Sequence, residues 1–393
     1  MLSPLEGRRL WLVGIGGAGM SAYAALARAW GADVRGWDRV RTPYLNHLEG
    51  IEVTISDEPP EPPHGWEVFV SSAFADRVAG RTRAELLAEL VSLRESVVVA
   101  GAHGKTTTAG MIAFCLQRLG RDPAWLIGAD IPQLGGNAGT GGGWLVVEGD
   151  ESDRTIAALR PELAVVTNVD LDHHSTFASR AEVEALFDEW LLHVPDVVRG
   201  ERLPRYDGPL TLPGEHNRRN AACALVALER IGLSHADIAP VLAEFAGAGR
   251  RLERRGGAGG VEVYDDYAHH PAEVAATLAA GRADGRLLVL FQPHLYSRTR
   301  HLASELAAAL AAADVVAVTD VYAARETPIA GVSGKLVVDA LAERRPGMPL
   351  AWTPECEDGA RFLAAHARRG DRVLTIGAGD VDRAGPLLVE LLA

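Results

Sequence analysis

Three times along the chain an apolar run passes through a short turn into an alanine-rich stretch: RLWLVGIGGAGMSAYAALARAWG near residues 9–31, SVVVAGAHGKTTTAGMIAFCLQRLG at 96–120, and VEVYDDYAHHPAEVAATLAAG from 261. Short apolar runs alternating with helix-like segments are the pattern of parallel α/β sheets. The second segment continues into the strand candidates WLVVEGD and LAVVTNVD, the third into RLLVLFQPH, ADVVAVTDVY and DRVLTIGAGDV. The expectation is an α/β chain with joints near 92–96 and 245–250, which gives segments 1–94, 95–247 and 248–393. A length of 393 residues accommodates two or three cores.

Composition narrows the class. A formal charge of −13 argues against a broad nucleic-acid surface. Apolar runs stay well short of the roughly eighteen residues that a membrane span needs. The N-terminus enters a strand pattern without the charged region, apolar region and cleavage site of an export signal. Cys115, Cys223 and Cys356 lie far apart in apolar helical stretches, as reduced core thiols do. A cytoplasmic monomer or homodimer without nucleic-acid or membrane partners is expected.

The first turn, with Gly14, Gly16, Gly17, Ala18, Gly19, Met20 and Ser21, matches G-x-G-x-x-G between strand and helix. Small residues there let a pyrophosphate approach a helix N-terminus. Asp38 follows at the distance of a ribose-binding acid. By itself this motif suits a nicotinamide dehydrogenase or a purely structural turn.

The second turn reads Gly101-Ala102-His103-Gly104-Lys105-Thr106-Thr107. Its backbone N–H groups and Lys105 suit a triphosphate, and Thr106 suits magnesium. Val99 stands where a strict Walker A has its first glycine. The chain has two lysines, Lys105 and Lys335, which weighs against an incidental exposed lysine here.

Glu148-Gly149-Asp150-Glu151-Ser152-Asp153 closes an apolar run, and Asp172-His173-His174 follows another. Carboxylates and imidazole at strand ends can hold a metal, though solvated loop acids give the same pattern. Gly214-Glu215-His216-Asn217-Arg218-Arg219-Asn220 opens a helix, either as an ordinary first turn or as an adenine-reading cluster. Asp265-Asp266-Tyr267-Ala268-His269-His270-Pro271 and Phe291-Gln292-Pro293-His294-Leu295-Tyr296-Ser297-Arg298 each leave an apolar strand. Two such polar strand exits suggest a substrate surface.

In this order GIGGAGMS, GAHGKTTT, EGDESD, TNVDLDHH, GEHNRRNA, GRRLE, DDYAHHPAEV, FQPHLYSRT, DVYAARETPIAGVSG and GAGDV resemble the Mur ligase family over nearly the whole chain, and the first, third, seventh and eighth resemble its L-alanine-adding branch in particular. The resemblance implies a Rossmann-like N-terminal domain, a P-loop ATPase-like central domain and a Rossmann-like C-terminal domain that close together. It implies ATP-dependent ligation of L-alanine to UDP-N-acetylmuramate through an acyl phosphate, with Mg2+. Gly16 to Ser21 would line the UDP-sugar site, and Gly101 to Thr107 with His216, Asn217 and Asp266 would hold ATP. Thr106, Glu148 and His173 would bind metal. Lys105, Arg251, His270, His294 and Arg298 would serve the chemistry.

Departures from the family pattern are specific. The lysine-free stretch between Lys105 and Lys335 excludes a carbamylated lysine in the central domain. The stretch from Asp172 to Gly214 is shorter than the family's. Arg154-Thr155-Ile156, Ser175 and Leu295 replace small or aromatic residues, an aspartate and an arginine. A sister ligase adding another amino acid or peptide, and a non-catalytic nucleotide-binding regulator, are the competing readings.

Overall fold

The computed structural model describes residues 3–171, 176–282, 284–324 and 326–393. Its strands form three sheets. The first contains β1 (Arg9–Val13), β2 (Asp33–Asp38), β3 (Glu52–Ile55), β4 (Glu67–Val70) and β5 (Arg81–Thr82), in the order β3-β2-β1-β4-β5 with every pairing parallel. Helices α1 (Ala18–Ala29) and α2 (Arg83–Ser92) accompany it. Leu10 to Val13 are buried, as expected of a central parallel strand covered on both faces. Thr82 starts α2 by accepting from the Glu85 N–H, while Glu85 accepts from the Thr82 N–H.

The second sheet contains β6 (Ser96–Ala100), β7 (Ala124–Ile131), β8 (Gly136–Thr140), β9 (Leu145–Glu148), β10 (Leu163–Val166) and β11 (Asp196–Arg199), ordered β11-β10-β6-β9-β7-β8. Only the β7–β8 pair is antiparallel among these. Around it lie α3 (Lys105–Arg118), α4 (Arg180–Leu191), α5 (Glu215–Arg230) and α6 (His235–Ala243). Strand β6 is buried throughout, so the strand that feeds the GKTTT turn is anchored mid-sheet.

The third sheet contains β12 (Glu253–Ala258), β13 (Val261–Asp266), β14 (Leu287–Phe291), β15 (Val315–Val318), β16 (Leu350–Trp352) and β17 (Arg372–Ile376), ordered β12-β13-β17-β14-β15-β16. Strand β12 pairs antiparallel with β13, and the rest are parallel. Along β14, Leu287, Val289 and Phe291 enter one core and Leu288 and Leu290 the other, the alternation of a strand between two helical layers. The first layer includes α7 (Pro271–Gly281), α8 (Tyr296–Leu310) and α9 (Lys335–Arg344); the second includes α10 (Cys356–His366) and α11 (Ala384–Leu391).

By compactness the chain divides into two units. One carries the first two sheets; the other carries the third, from Gly247 to Ala393, with Leu212–Asn217. Among the described residues no helix is long and apolar enough to cross a membrane. The cysteines are free thiols, and burial pushes Cys115 up to about 12, Cys223 to about 11 and Cys356 to about 12. Burial thus favours the thiol over the thiolate at all three.

Candidate active site

At the end of β1 the chain turns on Gly14, whose φ of +80° is open to glycine and where a Cβ would meet Ser71 Cβ at 2.7 Å. Gly16 N–H donates to Asp38 Oδ2 at 2.8 Å, and the Gly16 carbonyl accepts from the Thr42 hydroxyl at 2.6 Å. The other oxygen of Asp38 accepts from Arg39 N–H at 2.7 Å. Asp38 is buried. Its carboxylate clamps the glycine loop, one oxygen engaged by Gly16 and the other by Arg39.

Of the positions expected to line the UDP-sugar site, Gly17, Ala18 and Gly19 are accessible, whereas Gly16, Met20 and Ser21 are buried. Ser21 donates its hydroxyl to the Ala18 carbonyl at 3.0 Å. A ligand here would meet backbone rather than the Met20 and Ser21 side chains. First-turn amides of a helix lack acceptors one turn earlier, so α1 presents donors suited to an anion. Arg83, missed by sequence reasoning, reaches this turn: a Cβ on Gly19 would lie 3.4 Å from its Nη1. Its Nη2 pairs with Asp153 Oδ2 at 3.2 Å, tying the glycine loop to the EGDESD segment. The signal was a cation at the first position of a helix, the end where the helix dipole disfavours it.

The second turn is held from behind by the end of β10. Thr167 donates its hydroxyl to the His103 carbonyl at 2.7 Å with the Ala100 carbonyl 3.2 Å away, and Asn168 exchanges bonds with His103 N–H and carbonyl at 3.0 and 2.8 Å. Ala102 N–H donates to the Asn168 carbonyl at 3.2 Å. Gly101 and Gly104 have φ of +134° and +82°; a Cβ on Gly101 would meet Thr167 Oγ1, and one on Gly104 the Asn220 Oδ1, each at 2.3 Å. The loop is thus fixed before α3 begins at Lys105.

Two contacts bring the chemistry to the α3 N-terminus. Lys105 Nζ donates to the Gly101 carbonyl at 2.7 Å and to Glu151 Oε1 and Oε2 at 3.0 and 3.1 Å. Thr106 donates its hydroxyl to Glu148 Oε1 at 2.9 Å. Burial works against the Lys105 charge, but Glu151, Glu148 and Asp150 outweigh it and hold the ammonium above its usual range. Glu148 Oε2 accepts from Gly128 N–H at 2.7 Å, so a glycine on β7, also missed from sequence, orients it.

These groups fit magnesium. The Thr106 hydroxyl and Glu148 carboxylate are hard oxygen donors side by side, and Mg2+ is commonly held by one or two carboxylates with phosphate oxygens and waters. His173, the third expected ligand, lies outside the described residues. Among the described residues, no group of three His, Cys, Asp or Glu is arranged to hold a metal ion.

In the second unit the strand exits converge. Tyr267 and His269 leave β13, and His294 leaves β14. Ring centroids are 5.6 Å apart for Tyr267–His269, 5.4 Å for His269–His294 and 6.0 Å for His294–Tyr322. The guanidinium groups of Arg250 and Arg251 sit 5.2 and 5.6 Å from the Tyr267 ring centre. Arg298 is buried on α8 and its Nη1 lies 3.1 Å from His294 Nδ1; because arginine only donates, Nδ1 accepts and a neutral His294 carries its proton on Nε2. Leu295, between them in the strand exit, has a φ of +68°.

Other expected site residues also bond to the scaffold. His270 caps α7, its Nδ1 accepting from Ala272 N–H at 3.4 Å. Asn217 spends a side-chain N–H on the Pro213 carbonyl at 2.7 Å. Asp266 is buried and accepts from Leu252 N–H, Ala268 N–H and the Thr277 hydroxyl at 2.8, 2.9 and 3.0 Å. Burial nevertheless raises its carboxyl above the usual range, against the pull of Arg251 and these donors. These bonds tie Asp266 and one N–H of Asn217 to the surrounding backbone. His216 stays below the ordinary imidazole range through burial and then Arg251, with Glu273 acting the other way. Arg250 also went unnoticed in the sequence: it donates to Asp265 Oδ2 at 2.8 Å and to the Gly377 and Gly379 carbonyls at 2.7 Å, fastening the GAGD turn to the GRRLE turn.

Comparison with known proteins agrees with this layout. The Mur ligase middle domain matches residues 99–197, and the Mur ligase glutamate ligase domain matches 250–379. The chain is 38% identical to the UDP-N-acetylmuramate–L-alanine ligase of Kineococcus radiotolerans and 36% identical to that of Renibacterium salmoninarum, in each case over 98% of this chain and 96% of the relative. The second alignment runs over 460 positions, more than this chain's 393 residues, so the relative carries segments absent here. The solved UDP-N-acetylmuramate–alanine ligase of Thermotoga maritima shares the fold, with a TM-score of 0.77 at 24% identity, covering 97% of this chain and 98% of that one. With relatives this similar over nearly the whole chain and both domain matches in order, the chain belongs to the Mur ligase family.

Proposed function

We propose that this chain joins L-alanine to the lactyl carboxylate of UDP-N-acetylmuramate at the expense of ATP, in peptidoglycan synthesis. The observation that carries the reading is Lys105 and Thr106 opening α3 against Glu151 and Glu148, in a chain aligned end to end with relatives named for that ligation. Segments 1–94, 95–247 and 248–393, each carrying one sheet, would take the sugar nucleotide, ATP and the amino acid in turn.

In this reaction the sugar carboxylate displaces ADP from the γ-phosphate, giving an acyl phosphate. The alanine amine then attacks the acyl carbon, and inorganic phosphate leaves as the amide forms. The main-chain N–H groups of 101–107 cradle the phosphates, and Lys105 neutralises charge developing during transfer. Thr106 and Glu148 would hold magnesium, which supplies further charge neutralisation to the phosphates. The α1 turn with Arg83 suits the diphosphate of the sugar nucleotide. Arg251, His294 and Arg298 suit the amino-acid carboxylate and amine. His216 offers a neutral ring to the nucleoside, with Asn217, Asp266 and His270 fixing the surrounding backbone.

Phosphate release by the full chain with ATP, magnesium and UDP-N-acetylmuramate tests this, comparing L-alanine, glycine, L-serine and a short peptide. L-alanine-dependent release should fall by about 10²–10³ in Lys105→Ala, the scale for removing one positioned charge-stabilising group. Release with another acceptor alone identifies a sister ligase. Binding of both nucleotides without release identifies a regulator, the reading favoured by the segments that relatives carry and this chain lacks.

A further inference from the structure

The ammonium of Lys105 has three N–H donors, and three acceptors meet it: the Gly101 carbonyl at 2.7 Å and both oxygens of Glu151 at 3.0 and 3.1 Å. Giving an N–H to a phosphate requires releasing at least one of them. The carbonyl belongs to the loop backbone, whereas Glu151 is a side chain. Glu151 is therefore the exchangeable partner.

That exchange is costly in one direction. Glu151 is 2% exposed, and Glu148 and Asp150 also act on the same ammonium. Drawing Lys105 away would take a positive charge from this group of carboxylates as a polyanion arrives. A divalent cation travelling with the nucleotide returns positive charge to this group of carboxylates.

We propose that Glu151 is a positioning residue that makes nucleotide binding depend on its cation: by holding Lys105 through both oxygens, it admits the metal-bound triphosphate and disfavours the bare one. This rests on the reading that Lys105 binds the phosphates of ATP. Glu148 and Thr106 serve as ligands in that reading, and Glu151 sets the electrostatic condition for entry.

The test measures dissociation constants of the full chain for a non-hydrolysable ATP analogue, once with excess magnesium and once with EDTA. The wild type should bind far more weakly in EDTA. In Glu151→Gln the EDTA constant should improve so that the ratio of the two shrinks by about tenfold, within the usual range for coupled binding. Glu151→Asp retains the charge and should keep a ratio close to wild type. If the glutamine variant does not fold, by circular dichroism and thermal melting, Glu151→Ala gives the same measurement. A ratio unchanged in the neutral variants, or weakening by the same factor in both conditions, overturns the proposal and leaves Glu151 as a support for Lys105. Failure of the underlying reading looks different: Lys105→Ala and wild type would bind the analogue alike in magnesium.

Discussion

Single residues in this protein divide by whether their polar atoms are already engaged. Lys105, Thr106 and Glu148 stand out from sequence because their types and spacing belong to phosphate and cation chemistry. Asp38, Asn217 and Asp266 are of equally suitable types, yet both oxygens of Asp38 and of Asp266 and one N–H of Asn217 are engaged internally. Residue type does not reveal that distinction, since the partners of Asp266 include Leu252 and Thr277. His216 carries a pH prediction. Burial and Arg251 depress its folded-state pKa, so the folded state favours the neutral ring. That contribution is complete above the unfolded value of about 6.5 and is lost as pH falls through the lower folded value. Thermal melts between pH 7 and about pH 5 should show an acid-dependent loss of Tm in wild type. The loss should be smaller in His216→Gln; an equal loss would place the sensitivity elsewhere.

Among elements, the strand–turn–helix units were the most legible part. A buried apolar strand, a glycine turn and an alanine-rich helix leave one economical arrangement, and β1–α1 and β6–α3 adopt it. Less legible was what holds each turn in shape. The GKTTT loop is hydrogen-bonded by Thr167 and Asn168, just after β10, and Gly104 packs closely against Asn220 of α5, all more than fifty residues away in sequence. Gly104→Ala tests this support. An L-residue at φ +82° with its Cβ 2.3 Å from Asn220 Oδ1 should cost about 2 kcal/mol. Analogue binding should weaken by about tenfold or more if the loop opens to relieve it. Calorimetry together with thermal melting checks both, and unaltered binding would show that the loop tolerates the change.

For the whole molecule, the third sheet has a helical layer and a hydrophobic core on each face, which is what an independent folding unit needs. Residues 248–393 produced alone should therefore unfold cooperatively with a dispersed NMR spectrum; a broad melt without dispersion would show that the core needs the preceding chain. From the sequence alone came the α/β class, the three recurring units, the lysine and threonine of the GKTTT turn, and the family resemblance. Hydrophobic period and turn chemistry are local, and ordered motifs survive in one dimension. The tertiary structure decided the strand orders, the engagement of Lys105 by Glu151, the clamp made by Asp38, the placement of Arg83 beside Gly19 and the bracing by Arg250. Each depends on groups from separate elements meeting within hydrogen-bond reach, and that reach is set by packing, because side-chain contacts across a sheet or between a strand end and a distant helix leave no spacing rule in the chain.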